Sequence, residues 1–304
     1  MKKILLLILM IVVAVSAIFF TNKNQATQKN TGKLQVTASF YPMYYFASVI
    51  GGDKVDVHNI TPAGAEPHDY EPSARDIAEI EKGNLLILNG SVESWGDKIQ
   101  DNLKNTNVTI VVAGEGLFNK KLAEEGKQIQ DPHIWLAPVL AKQEVAKITQ
   151  GFIKVDPVNA DYYHNNEKLL DQKLDTLDTT YKNGLSTCKL KDIITSHAAF
   201  AYLAQNYKLN QLPISGLSPD QEPSSQQLAE VANFAKEHHV HYIFFESLIS
   251  PKLAETLANE IGAKTLVLDP LEGLSDDEMN QGKNYFTVME NNLQNLQIAL
   301  QCNQ

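Results

Sequence analysis

The sequence predicts an α/β protein of two similar lobes with largely parallel sheets, joined by a long helix. Three observations carry this. Short apolar runs alternate with amphipathic stretches from Lys33 to Asp131, the pattern of strand–helix–strand units. A long, mainly helical region follows, and after it the same alternation restarts and runs to the C-terminus.

In the first half, "LQVTASF" reads as a strand and "PMYYFASVIGG" as a helix closed by glycine. "VDVHNIT" is a strand, "SARDIAEIEKG" a helix, and "NLLILNG" and "NVTIVVAG" are strands. The region after Asp131 begins with "APVLAKQEVAKITQGFIKV" and continues through "DPVNADYYHNNEKLLDQKLDTLDTTYKNGL", where Asp156 before Pro157 signals a cap and first turn. In the second half, "KDIITSHAAFAYLAQNYKL" gives a strand ending at Ser196 and a helix opened by His197. "NQLPISGL" is a strand, "SSQQLAEVANFAKEHHV" a helix, "HYIFFES" a strand and "SPKLAETLANEIGA" a helix. "KTLVLDPLEGL" is a strand running into a loop, and the chain ends on a helix. The expected boundaries are 33–152 for the N-terminal lobe, 153–186 for the linking helix and 187–304 for the C-terminal lobe.

Residues 1–32 stand apart. Two lysines precede an apolar run from Ile4 to Phe20, and a linker rich in Asn, Gln, Thr and Lys follows. This is an export signal. Val15, Ser16 and Ala17 offer a small-residue cleavage site, yet the run is nearly long enough to span a membrane, so cleaved signal and retained anchor both stand. No cysteine ends the run, which speaks against a lipid-modified N-terminal cysteine. The expected location is therefore the periplasm or the outer face of the cytoplasmic membrane.

Charge and cysteines narrow the function. A formal net charge of −10 supplies no basic stripe for phosphates, which excludes a non-specific nucleic-acid binder and leaves cations as clients. The two cysteines, Cys188 and Cys302, have no near neighbour in sequence, so they are no zinc knuckle. An even pair in an exported chain suggests one disulfide tying the C-terminus to the second half, with two free thiols as the alternative.

Eight histidines are present, and three occupy comparable places, in or beside loops that follow apolar strands or precede helices: His68 in "PHDYEPS", His133 in "DPHIWLAP" and His197 in "TSHAAFAY". Ligands of open α/β sheets gather beyond the carboxyl ends of the strands, where loops of two lobes can meet. Three neutral imidazoles suit zinc and leave one corner of a tetrahedron for a carboxylate or water. Asp131 and Asp69 are candidates to brace ring nitrogens from behind. His238, His239 and His241 in "EHHVHY", with His58 and His164, read as structural or solvated.

Taken in order, "EPHDYEPS", "DPHIWLAP", "TSHAAFAYLAQNY", "EPSSQQLAEV", "IFFES" and "LDPLEGL" resemble the metal-specific solute-binding proteins of ABC importers, particularly the zinc-uptake branch. The resemblance covers the chain from about Lys33. It implies two α/β lobes, a rigid linking helix and a metal held in the cleft between the lobes. It makes His68 and His133 the N-lobe ligands and His197 the first C-lobe ligand. The fourth ligand is a late carboxylate, Glu272 first and Asp269 second. The implied function is high-affinity capture of Zn2+, as transported ligand, by a monomer that delivers it to a membrane permease driven by a cytoplasmic ATPase. No enzymatic activity is implied.

Two other readings compete. A manganese receptor of the same family would typically have glutamate where His197 stands. A zinc hydrolase would keep an open coordination position, with Glu272 or Glu66 as general base. The chain also departs from many zinc-branch members, because "GLFNKKLAEEGKQIQ" carries no histidine where they have a histidine-rich loop.

Overall fold

The computed structural model describes residues 32–124 and 126–303; the expected signal or anchor lies outside them. Strands β1 (Leu34–Ala38), β2 (Val55–Asn59), β3 (Leu85–Leu88) and β4 (Thr109–Val112) form one parallel sheet in the order β2-β1-β3-β4. Helices α1 (Tyr41–Gly51), α2 (Ala74–Lys82) and α3 (Gly96–Leu103) connect them. β3, with the sequence Leu-Leu-Ile-Leu, is buried throughout. That is why it reads as an unbroken apolar run rather than an alternating one. α2 opens on a reciprocal cap, in which Ser73 accepts from the Asp76 amide and Asp76 accepts from that of Ser73.

Two elements of this lobe were not expected. α3 follows Trp95, which makes no side-chain cap bond, and buries little besides Ile99 and Leu103, so neither a start signal nor a strong apolar stripe marks it. The histidine-free segment after Gly116 is no loop. It folds into an antiparallel hairpin of β5 (Lys121–Glu124) and β6 (Lys127–Gln130), turned at Gly126 with φ +77°.

α4 (Pro138–Val155) and α5 (Ala160–Leu185) lead to the second lobe. Leu170, Leu174, Leu177, Tyr181 and Leu185 of α5 are buried at helical spacing. Asp156 does not cap α5 with its side chain. Its carboxylate instead accepts from the Tyr163 hydroxyl at 2.6 Å and the Asn159 amide at 2.7 Å, pulling the chain into a tight turn at Pro157–Asn159 before the helix begins.

The C-terminal lobe contains β7 (Asp192–Thr195), α6 (Ala201–Tyr207), β8 (Asn210–Pro213), α7 (Ser225–Glu237), β9 (Tyr242–Phe245), α8 (Lys252–Ile261) and β10 (Lys264–Val267). The short α9 (Asp276–Asn280) and the final α10 (Tyr285–Ala299) follow. Its sheet runs β10-β9-β7-β8, also parallel. In chain order this repeats the second-first-third-fourth arrangement of the first sheet, so each lobe has its topological switch between its first and third strands. His197 does not open a helix, because α6 starts at Ala201. The His197 carbonyl accepts from Thr195 Oγ1 at 2.7 Å and Gln211 Nε2 at 3.0 Å, which bends the chain ahead of the helix.

One apolar core passes from Phe40, Phe46 and Trp135 through Leu174 and Tyr181 to Tyr285 and Leu296, across both lobes. Trp135 bridges the lobes through two polar contacts. Its indole N–H donates to the Pro270 carbonyl at 2.7 Å, while its own carbonyl accepts from the Tyr285 hydroxyl at 2.6 Å. Cys188 and Cys302 are disulfide-bonded, closing a separation of 114 residues. Among the described residues no helix is long and apolar enough to cross a membrane.

Candidate metal centre

Four loops bring His68, His133, His197 and Glu272 together between the lobes. His68 lies between β2 and α2, in a loop tied to the other lobe where the Gly64 amide donates to the Leu274 carbonyl at 3.2 Å. His133 follows β6 and is fully buried, His197 follows β7 and is fully buried, and Glu272 follows β10. His68 is the most accessible of the group, with 11% of its side chain exposed.

The donor atoms face one another. His68 Nε2 stands 3.3 Å from His133 Nε2 and 3.2 Å from Glu272 Oε1. His133 Nε2 is 3.0 Å from the same carboxylate oxygen, and His197 Nε2 is 3.4 Å from His133 Nε2 and 3.3 Å from Glu272 Oε1. A regular tetrahedron with arms of about 2.05 Å, the zinc–nitrogen distance, has edges of about 3.3 Å. Five of the six donor–donor separations therefore match the edges of one zinc-sized shell, and all four donor atoms lie within 4.8 Å of one another.

Carboxylates behind two of the rings determine which nitrogen points inward. His133 Nδ1–H donates to Asp131 Oδ1 at 2.8 Å, and the same oxygen accepts from the His133 amide at 3.0 Å. His197 Nδ1–H donates to Glu246 Oε1 at 2.6 Å, and that oxygen also accepts from the His197 amide at 3.2 Å. With Nδ1 committed to a carboxylate, Nε2 is the nitrogen left to face a cation. Glu246 was not singled out from sequence, although it is the glutamate of "IFFES", directly after the carboxyl end of β9, the central-strand position that places it beside the switch point.

The electrostatics follow from this crowding. Burial alone would lower the pKa values of His133 and His197, but for His133 hydrogen bonds to Asp131 and Glu272 outweigh it, and for His197 the charges of Glu246 and Glu272 do so. Both imidazoles are raised, His197 strongly. Burial would raise Glu272, yet His197 and the hydrogen bonds from the three histidines hold it well below the usual carboxylate range. A cation entering this ring of donors would compete with protons for the imidazole nitrogens.

The remaining candidates lie elsewhere. Asp269 does not join the cluster. Its carboxylate accepts from the Leu271 amide at 2.7 Å and from the Ser247 hydroxyl, and its backbone is paired on both sides with the Asn292 side chain. Leu271, at φ +60°, then turns the chain so that Glu272 rather than Asp269 faces the histidines. Asp69 braces no imidazole; it is exposed and shares a hydrogen bond with Asp220, which raises its pKa. Glu66 accepts from the His68 amide at 3.2 Å, and burial, reinforced by the Glu272 charge, pushes its pKa up to about 9. His58 and His164 sit near Glu79 and Glu167. His238 stacks on Phe234 and donates to Asp192, while His239 adopts φ +56° at the end of α7.

Two parallel-sheet lobes with an ion-sized ring of donors between them define a solute-binding protein whose solute is a metal ion. The family model described as "Zinc-uptake complex component A periplasmic" matches residues 36–299. The chain belongs to that family, whose members are solute-binding receptors. It is 42% identical over 292 residues to the high-affinity zinc uptake system protein ZnuA of Bacillus subtilis, covering 92% of this chain and 91% of that protein. It is 40% identical over 308 residues to the zinc-binding lipoprotein AdcA of Streptococcus pneumoniae, covering 97% of this chain but only 60% of that longer protein. The crystal structure of the Zn(II)-bound ZnuA-like domain of Streptococcus pneumoniae AdcA superposes with a TM-score of 0.78 at 40% identity, covering 88% of this chain and 99% of that one.

Proposed function

We propose that this chain captures Zn2+ outside the cytoplasmic membrane and delivers it to an ABC permease powered by a cytoplasmic ATPase, acting as a monomer. His68, His133, His197 and Glu272 are the ligands. The observation that supports this reading best is that five of the six donor separations are 3.0–3.4 Å, close to the edges of a tetrahedral zinc shell. Three imidazoles against one carboxylate oxygen favour zinc over manganese, which prefers harder oxygen ligands. Binding rather than hydrolysis is favoured because Glu272 Oε1 takes the fourth corner, where a hydrolase would keep an activated water.

The test is metal analysis of protein purified without added metal, followed by competition against a chromophoric chelator. One tightly held zinc, with manganese bound much more weakly, is expected. Equal affinity for the two ions overturns the proposal.

A further inference from the structure

Among the described residues, the hydroxyl of Tyr202 makes three polar contacts that cross from lobe to lobe. Its ring lies on α6 and is 3% exposed, packed with Ile134 and Ala137. The oxygen accepts from the backbone amides of Asn119 at 3.1 Å and Lys120 at 3.2 Å, and its proton goes to the Asp131 carbonyl at 3.2 Å. A phenol has two places to accept and one proton to donate, and all three are used here.

The partners are not arbitrary. Lys120 precedes the β5–β6 hairpin and Asp131 follows it, and the Asp131 amide donates to the Lys120 carbonyl at 3.0 Å. One oxygen of the C-terminal lobe thus grips both feet of an N-lobe hairpin. One of those feet is the residue whose carboxylate holds the Nδ1–H of His133. On its own side, Tyr202 sits on the helix that follows the His197 loop. The hydroxyl is therefore a short mechanical link between the supports of two metal-facing histidines that belong to different lobes.

We infer that Tyr202 is a positioning residue for metal capture, its hydroxyl setting the Asp131 carboxylate, and through it the His133 ring, relative to His197. The inference rests on the reading of His68, His133, His197 and Glu272 as a zinc site. It extends that reading because Tyr202 touches none of the four donor atoms.

Tyr202→Phe in the full chain is the direct test, since it keeps the ring in its pocket and removes only the oxygen. Removing a support of a metal-bound histidine typically weakens metal by 10- to 100-fold. One step further out, a loss of about tenfold in zinc affinity is expected, measured by chelator competition on metal-free protein whose far-ultraviolet circular dichroism matches the parent. The visible d–d spectrum of the Co2+-loaded protein should change as well, because it reports ligand geometry. In an Asp131→Ala background the same substitution should cost less than about twofold, because the path to His133 is already cut.

Parent-like zinc affinity with an unchanged Co2+ spectrum overturns the inference, even if the melting temperature falls, for it leaves the hydroxyl a purely structural role. A full tenfold loss that persists in the Asp131→Ala background overturns it too. If the parent binds neither Zn2+ nor Co2+, the site reading itself fails and this inference goes with it. Zinc bound by the parent and by Tyr202→Phe with equal strength isolates the failure to Tyr202.

Discussion

Glu246 offers the sharpest test of how the centre is built, because it acts on a ring it orients and not on the metal. Its Oε1 holds both the amide and the Nδ1–H of His197, at 3.2 and 2.6 Å, with His197 fully buried and Glu246 3% exposed. Glu246→Ala leaves two buried donors unpaired and frees the ring to rotate. A loss of about 10- to 100-fold in zinc affinity is expected, or about 1.4–2.8 kcal/mol at about 1.4 kcal/mol per tenfold. Glu246→Gln keeps an acceptor oxygen but removes the charge that makes these bonds strong, so its loss should be smaller, about threefold to tenfold.

The pH dependence separates charge from geometry. His197 is raised well above ordinary histidine, chiefly because the Glu246 and Glu272 charges overcome its burial. In the metal-free protein this pairing stabilises the fold fully below about pH 6.5, the unfolded value, and the contribution is lost as pH rises through the raised folded value. Zinc has to displace that proton, so parental affinity should begin to fall at a higher pH than free imidazole would dictate. Without the Glu246 charge the His197 pKa drops. The acid limb of the affinity curve should then move to lower pH in Glu246→Gln, even as affinity near pH 8 decreases. Chelator competition between about pH 5.5 and 8 reads both effects. Parental affinity in Glu246→Ala near pH 8, or an unmoved acid limb in Glu246→Gln, would refute the reasoning.

Three further outcomes are expected. Replacing His68, His133 or His197 by Ala should weaken zinc far more than His239→Ala, and Glu272→Ala should weaken it more than Asp269→Ala; calorimetric titration of the set in one buffer checks the order, and a larger effect at Asp269 would move the fourth ligand there. Glu144 is wholly buried, accepts from Asn89 at 3.3 Å, has an unpartnered second oxygen and is pushed well above the usual carboxylate range by burial. Its proton is held more tightly folded than unfolded, so stability falls as pH rises above about 4.5. Glu144→Gln should therefore match the parent within about 1 kcal/mol near pH 5 and melt higher near pH 8, which a melting series would contradict by showing a deficit that grows with pH. Replacing Cys188 and Cys302 by Ser opens a loop separated by 114 residues and should cost about 2–4 kcal/mol in urea unfolding.

How much of this was legible in sequence depended on whether the signal was local. The buried parallel strands announced themselves as short apolar runs such as Leu85–Leu88, and α2 and α7 carried their own start signals at Ser73 and Ser224. The hairpin and α3 went unread because "KQIQ" buries little and Trp95 gives no cap bond. His68, His133 and His197 stood out because each is a polar residue in a loop that follows a strand or precedes a helix, where loops of an α/β lobe gather.

The pair of α/β lobes and the three loop histidines could be read from the chain, since composition and periodicity are properties of neighbours, and the family resemblance added the two late carboxylates. The tertiary structure alone decided which of two nearby acids turns inward, because that choice hangs on the left-handed turn at Leu271 and on Asn292, which holds Asp269 from 23 residues away. It also decided that Glu246 orients His197 across 49 residues and that Tyr202 reaches Asp131 across 71. Those roles are hydrogen-bond distances between segments remote in sequence, and such distances exist only once the chain has folded, within the C-terminal lobe for Asp269 and Glu246 and across the two lobes for Tyr202.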